Sequence, residues 1–167
     1  LFAVCLTLEN AVFTGCKIEV EGGEARAALV RTNGAAVLVI DGSQTLSRCT
    51  DFLANRYGGS LDAVVVLSDD ELDGVNVGAF LPAKAVYAKD EIATGLQETE
   101  VRFGDRFSVN GLEFRYESRK KLALLAEGAV VEFDFSDSSA LGADLFIEKG
   151  SGGLKFFLKN GIIRSIA

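Results

Sequence analysis

Residues 36–42 read Ala36-Val37-Leu38-Val39-Ile40-Asp41-Gly42, and residues 61–68 read Leu61-Asp62-Ala63-Val64-Val65-Val66-Leu67-Ser68. Each is a short, β-branched apolar run closed by turn residues, the pattern of a strand covered on both faces. Between them the period changes. From Thr45 to Tyr57, Leu46, Cys49, Phe52 and Leu53 fall on one helical face, and Gly58-Gly59 supplies a stop. Strand, helix, strand predicts a parallel crossover. Strands covered on both faces need helices outside the sheet, so the expected class is α/β (α+β), a sandwich of mixed sheets with outer helices.

Working outward, Cys16-Lys17-Ile18-Glu19-Val20-Glu21 alternates, with Cys16, Ile18 and Val20 on one face. Ala27 to Thr32 reads as the next strand, and Asn33-Gly34 as the hairpin turn into Ala36–Ile40. A short helix is expected near Val75 to Leu81, divided by Pro82 from a strand at Ala85 to Ala88. The second half reads as strands: Glu100–Phe103, Arg106–Val109 and Leu112–Tyr116 as a meander, then Leu122–Leu125 paired with Val130–Phe135 around Glu127-Gly128. Ala143–Ile147, Leu154–Leu158 and Ile162-Ile163 follow, the last after Asn160-Gly161. Gly150-Ser151-Gly152-Gly153 lacks the lysine and hydroxyl pair of a phosphate loop and reads as a mobile turn. About a dozen strands and two or three helices are expected, with no repeat and no dividing linker.

The chain has 167 residues, enough for one core. Its mean hydropathy is +0.25, yet no apolar run approaches the roughly 18–20 residues of a spanning helix. It starts at Leu1 and has no methionine, which reads as a fragment, a processed chain, or a sequence from which modified methionines were dropped. Leu1 to Leu8 is a short apolar stretch without the basic flank of a signal peptide, either a first strand or the stub of a membrane helix. A net charge of -7 argues against broad electrostatic binding to nucleic acid, while leaving room for a local basic patch. Cys5, Cys16 and Cys49 form neither a disulfide framework nor a zinc ribbon and read as buried thiols. There is no histidine, so Ser-His-Asp and Cys-His catalysis and every imidazole-dependent zinc site are excluded.

Four segments resemble one family in order. Val20-Glu21-Gly22-Gly23-Glu24-Ala25, Arg31-Thr32-Asn33-Gly34 and Leu38-Val39-Ile40-Asp41-Gly42 resemble the "VGQGDA", "IRT" and "LIDGG" opening of the metallo-β-lactamase-fold domain of ComEC-type competence proteins. Leu61 to Ser68 is similar to "LDALVLSH", the strand that leads into the HxHxDH metal motif. In that register the motif's ligands fall on Asp69, Glu71, Asp73 and Gly74. Gly104-Asp105-Arg106-Phe107 with Asn110-Gly111-Leu112-Glu113 is similar to "GDRFxxGGLxxxVL". Ala143-Asp144-Leu145-Phe146 is similar to the "ADVLK" strand before a His-His-Gly-Ser turn. The resemblance implies an αββα sandwich, curtailed at its C-terminus, with residues 16–167 as a degenerate domain and 1–15 as an N-terminal strand or a linker from a membrane region. It implies a bacterial, extracytoplasmic domain of a polytopic DNA-uptake protein. The expected partners are that protein's membrane region and other competence proteins, with weak DNA contact and no small-molecule substrate.

With every histidine replaced, zinc is not expected, no catalytic residue is named, and a structural, gating or docking role is the leading expectation. The resemblance makes Asp41, Asp134 and Asp144 remnants of the support behind the metals. Asp69, Asp70, Glu71 and Asp73, with Asp134 or Asp137, leave room for weak Mg²⁺, Mn²⁺ or Ca²⁺ binding through oxygen. Their plainer reading is a helix start, with Ser68 and Glu71 as a capping box. Two alternatives stay open: a histidine-free Mn/Mg phosphodiesterase or nuclease, and an unrelated β-rich binding module. The latter requires the Val37 and Val64 strands not to lie side by side. Arg102, Arg106, Arg115, Arg119, Lys120 and Lys121 mix with Glu100, Glu113 and Glu117 and read as a solvated sheet face, with Phe103, Phe107, Phe114 and Tyr116 toward the core.

Overall fold

The computed structural model describes residues 14–23, 26–42, 46–67, 77–88, 96–118, 120–136 and 142–166. Along them run β1 Cys16–Val20, β2 Ala27–Arg31, β3 Ala36–Ile40, α1 Leu46–Arg56, β4 Ala63–Val66, α2 Val77–Phe80, β5 Ala85–Ala88 and β6 Gln97–Glu100. Then come β7 Arg106–Val109, β8 Leu112–Ser118, β9 Lys121–Ala126, β10 Ala129–Asp134, β11 Leu145–Glu148, a 3-10 turn at Lys149–Ser151, β12 Lys155–Lys159 and β13 Ile162–Ile166. The strands make an eight-stranded sheet, β13-β12-β1-β2-β3-β4-β5-β6, and a five-stranded sheet, β11-β10-β9-β8-β7.

Both sheets are mixed. β3 to β6 run parallel, and so do β10 and β11; the other pairs are antiparallel. The crossover read from sequence is present: β3 and β4 are parallel neighbours, from Val37 opposite Ala63 to Ile40 opposite Val66. The unrelated β-rich module required these strands apart and is thereby overturned.

The long apolar runs follow from two layers of packing. Ile18, Val30, Val39 and Val65 meet Phe114, Tyr116, Leu124 and Phe133 between the sheets. On the other face, Leu29, Leu38, Ile40, Val64 and Val66 lie under Cys49 and Leu53 of α1 and Val77 of α2. Burying a side chain of this kind contributes roughly 1.5–3 kcal/mol. Both described helices therefore lie on the eight-stranded sheet. The outer face of the five-stranded sheet presents Glu113 and Arg115 to solvent.

Several sequence expectations move. The strand expected at Glu100–Phe103 is β6, at Gln97–Glu100, and it pairs with β5 in the eight-stranded sheet rather than with β7. All four of its residues are exposed, so an edge strand held by backbone bonds left no apolar alternation. Phe103 is 52% exposed and covers the Tyr116 ring at 5.4 Å instead of entering the core. Gly150–Gly153 is a built turn: a capping box spans Glu148 and Ser151, and a Cβ on Gly152 would lie 2.4 Å from the Gly23 carbonyl oxygen. The Asn110-Gly111 hairpin turn stands as read, with φ of 46° and 90°. Residues 1–13, which hold Cys5 and all but the last two residues of the expected 1–15 strand or linker, lie outside the described residues.

Candidate functional site

Parallel β3 and β4 end together, and Glu21 and Asp41 of the first segment and Leu67 of the second lie at that edge. Leu67 donates its amide to the Ile40 carbonyl at 2.9 Å, extending the parallel ladder by one residue. Asp41 donates its amide to Arg26 O at 2.9 Å. Gly153 does the same to Glu21 O at 3.2 Å, which brings the glycine-rich turn against the first loop. The five-stranded sheet arrives through the β8–β9 turn. Lys120 donates its amide to Leu67 O at 3.1 Å, and Phe135 donates to Lys120 O at 3.0 Å. The fully buried Tyr116 hydroxyl donates to the same Leu67 carbonyl at 2.8 Å.

Four carboxylates are buried in the described structure, and three of them lie near this turn. Asp41 is 4% exposed, and its Oδ1 takes no hydrogen bond; Lys120 Nζ stands 3.6 Å away. On the other side of the turn, Lys121 Nζ lies 2.6 Å from Glu132 Oε1 and 3.9 Å from Asp134 Oδ2. Asp134 Oδ1 also accepts the Ser136 amide at 2.9 Å and its hydroxyl at 2.5 Å. The Glu132 carboxylate beside it raises the Lys121 ammonium above the ordinary lysine pKa, with burial opposing and Asp134 and Glu117 adding. Lys120 has a φ of 63°, a left-handed conformation that glycine adopts without strain and that costs a lysine of order 1 kcal/mol or more. The chain therefore sets an ammonium beside Asp41 from a strained backbone position.

Of the residues singled out from sequence, Asp41 and Asp134 reach this edge, on opposite sides of the β8–β9 turn. Asp144 does not. It lies at the start of β11, exchanging bonds with Val130 (its Oδ2 accepts at 2.8 Å, its amide donates at 2.9 Å), while Asp134 stands at the far end of β10. Asp69, Glu71, Asp73 and Gly74, the Ser68–Glu71 capping box and Asp137 lie outside the described residues. Sequence reasoning missed Lys120, Lys121 and Glu132 as parts of the edge, having placed the lysines in a solvated strip. The rest of that strip is mixed as expected, with Arg102 3.2 Å from Glu100 and Arg115 paired to Glu117. Cys16 and Cys49 are buried, and burial first, then Glu127 and Glu21 respectively, pushes each thiol up to about 12. Such thiols stay neutral near pH 7 and are inert as nucleophiles.

No protein-family profile and no curated protein sequence matches the chain. Solved structures do. The metallo-β-lactamase fold protein YhfI from Bacillus subtilis is similar with a TM-score of 0.54 and 16% identity, over 80% of this chain and 70% of YhfI. A B3 metallo-β-lactamase with an active-site glutamic acid is similar with a TM-score of 0.50 and 14% identity, over 79% of this chain and 64% of that protein. The chain has the metallo-β-lactamase fold. It spans less than two thirds of the B3 enzyme's length.

The metallo-β-lactamase fold implies metal, and the donor set decides whether zinc in its usual setting fits. The sequence has no imidazole nitrogen anywhere. Among the described residues, no group of three or more Cys, Asp and Glu gathers around one point. The buried Asp41 and Asp134 each face a lysine ammonium, which would repel a divalent cation placed beside them. An imidazole-held zinc pair does not fit these residues.

Proposed function

We propose that this chain is a non-catalytic metallo-β-lactamase-fold domain of a ComEC-like DNA-uptake membrane protein of bacteria, with a structural, gating or docking role. The observation that carries the non-catalytic part is the pair Lys120 and Lys121, whose ammonium groups stand against Asp41, Glu132 and Asp134 at the edge where β3 and β4 end. Fixed cations there supply the positive charge that buried carboxylates need. An ammonium can neutralise a carboxylate, but it cannot activate water as a metal ion does. The ComEC part rests on the order of the four sequence segments. In the parent protein the domain sits outside the cytoplasm and contacts the membrane region and other competence proteins. No helix of the described residues is long and apolar enough to cross a membrane.

The test has two arms. Purified protein with Zn²⁺ or Mn²⁺ should hydrolyse neither bis-p-nitrophenyl phosphate nor a single-stranded oligonucleotide. In the bacterium that carries the gene, in-frame removal of residues 14–166 should abolish DNA uptake, while Asp69→Ala/Asp73→Ala leaves it intact. Metal-dependent hydrolysis lost in that double variant would establish the phosphodiesterase alternative instead. Normal uptake after the deletion would end the competence assignment.

A further inference from the structure

Residues 155–166 form the hairpin β12–β13 at one end of the eight-stranded sheet. Phe156 and Leu158 point into the core, so Lys155, Phe157 and Lys159 point outward. The pairing Lys155–Ile166, Phe157–Arg164 and Lys159–Ile162 places Ile162, Arg164 and Ile166 on that same outer face. Lys17 stands beside Phe157 on β1, and Arg31 beside Lys17 on β2. Helices α1 and α2 cover the β2 to β5 part of this face, and β13 is the sheet's edge strand.

Two properties set the region apart. Ile162 is 57% exposed and Ile166 40% exposed, two large aliphatic side chains at the two ends of one edge strand. Across the strand rows stand Lys17, Arg31, Lys155, Lys159 and Arg164, with a single carboxylate, Glu19. Glu19 is 3% exposed and held by Arg31 at 2.5 Å and Lys17 at 3.3 Å. The face thus carries a surplus of four positive charges in a chain whose net charge is -7.

We infer that this hairpin face docks on an anionic lipid bilayer, with Ile162 and Ile166 entering the headgroup boundary and Lys155, Lys159 and Arg164 meeting the lipid phosphates. Apolar side chains ringed by cations are the composition of an interfacial anchor. The acidic remainder of the surface is repelled by the same bilayer, which fixes the orientation of the bound domain. A nucleic acid would use the cations as well, but its bases stack best on aromatic side chains, whereas the exposed apolar groups here are two aliphatic ones at opposite ends of a strand. This inference stands independently of the proposed function, because it uses none of the residues near Asp41.

The test is co-sedimentation of the full chain with phosphatidylcholine vesicles, with and without phosphatidylglycerol, beside binding to a single-stranded oligonucleotide. Partition should require phosphatidylglycerol and weaken with added salt. Lys155→Gln/Lys159→Gln/Arg164→Gln should lower it by about a hundredfold at low salt, from roughly a fivefold contribution per cation near the surface. Ile162→Ser/Ile166→Ser, which leaves charge untouched and alters only exposed positions, should also lower it, with melting behaviour kept. No partition into anionic vesicles, or partition that ignores both variants, would overturn the inference. So would oligonucleotide binding that depends on the three cations and ignores the isoleucines.

Discussion

Lys120→Gln removes the ammonium that stands beside Asp41 among the described residues, while keeping a side chain of similar length and the same strained backbone. Asp41 is 4% exposed, its Oδ1 has no hydrogen bond, and the Lys120 ammonium stands 3.6 Å away. Two unit charges at that distance attract by about 4–5 kcal/mol at an effective dielectric of about 20. Lys120 is 34% exposed, so water and salt already screen part of this, and the expected loss is about 1–3 kcal/mol. A domain of this size loses roughly 2–4 °C of melting temperature per kcal/mol, so the midpoint should fall by roughly 2–12 °C. Guanidinium titration gives the free energy, and a double-mutant cycle isolates the pair. Asp41→Asn in the Lys120→Gln background should restore at least about 1 kcal/mol, because it removes the buried charge that the first change left uncompensated. A Lys120→Gln loss below a few tenths of a kcal/mol, or strictly additive variants, would refute the claim that lysine holds this edge together.

Tyr116→Phe deletes the buried hydroxyl bond to Leu67 O, which keeps the Lys120 amide as a donor, so denaturant titration should show a loss of only about 1 kcal/mol. Cys16 and Cys49, with thiols pushed up to about 12, should resist iodoacetamide in the native protein near pH 8 and label fully in denaturant, as peptide mass spectrometry would show. Lys121 is raised in the folded state, mainly by Glu132; its contribution is therefore whole below the unfolded lysine pKa and is lost as pH rises through the folded one. Glu132→Gln should accordingly flatten the alkaline limb of a stability–pH curve. Asp62 is lowered: burial works against it, and the Lys84 hydrogen bond, the Ala36 amide and the Lys84 charge outweigh that. Its contribution is present above the unfolded aspartate pKa and is lost as pH falls through the folded one, so Asp62→Asn should flatten the acid limb.

The part of the fold written in local pattern was legible. Ala36–Ile40 and the Ala63 strand announced themselves as β-branched runs with a helical period between them, and the parallel pair followed. Asn110-Gly111 and Asn160-Gly161 marked hairpin turns because both positions take positive φ. β6 was not legible: its four exposed polar residues carry no pattern, and only backbone pairing to β5 makes it a strand. The site divided the same way. Asp41 was found because it follows an apolar strand at a position the resemblance marks, and Asp134 because it is an acidic residue closing another apolar strand. Asp144 was carried along by that resemblance, although the parallel β10–β11 register sets it at the far end of the sheet. Lys120 and Lys121 read as two more cations on a mixed face. Their role depends on a turn that presses against Leu67 and places one ammonium on each side of the sheet edge, a tertiary relation with no local signature.

The most direct test of the account is metal content by plasma mass spectrometry, after incubation with Zn²⁺, Mn²⁺, Mg²⁺ or Ca²⁺ and desalting, with Asp69→Ala/Asp73→Ala alongside. Neither protein should retain stoichiometric metal. Metal retained at one or two equivalents per chain and lost in the double variant would contradict the account.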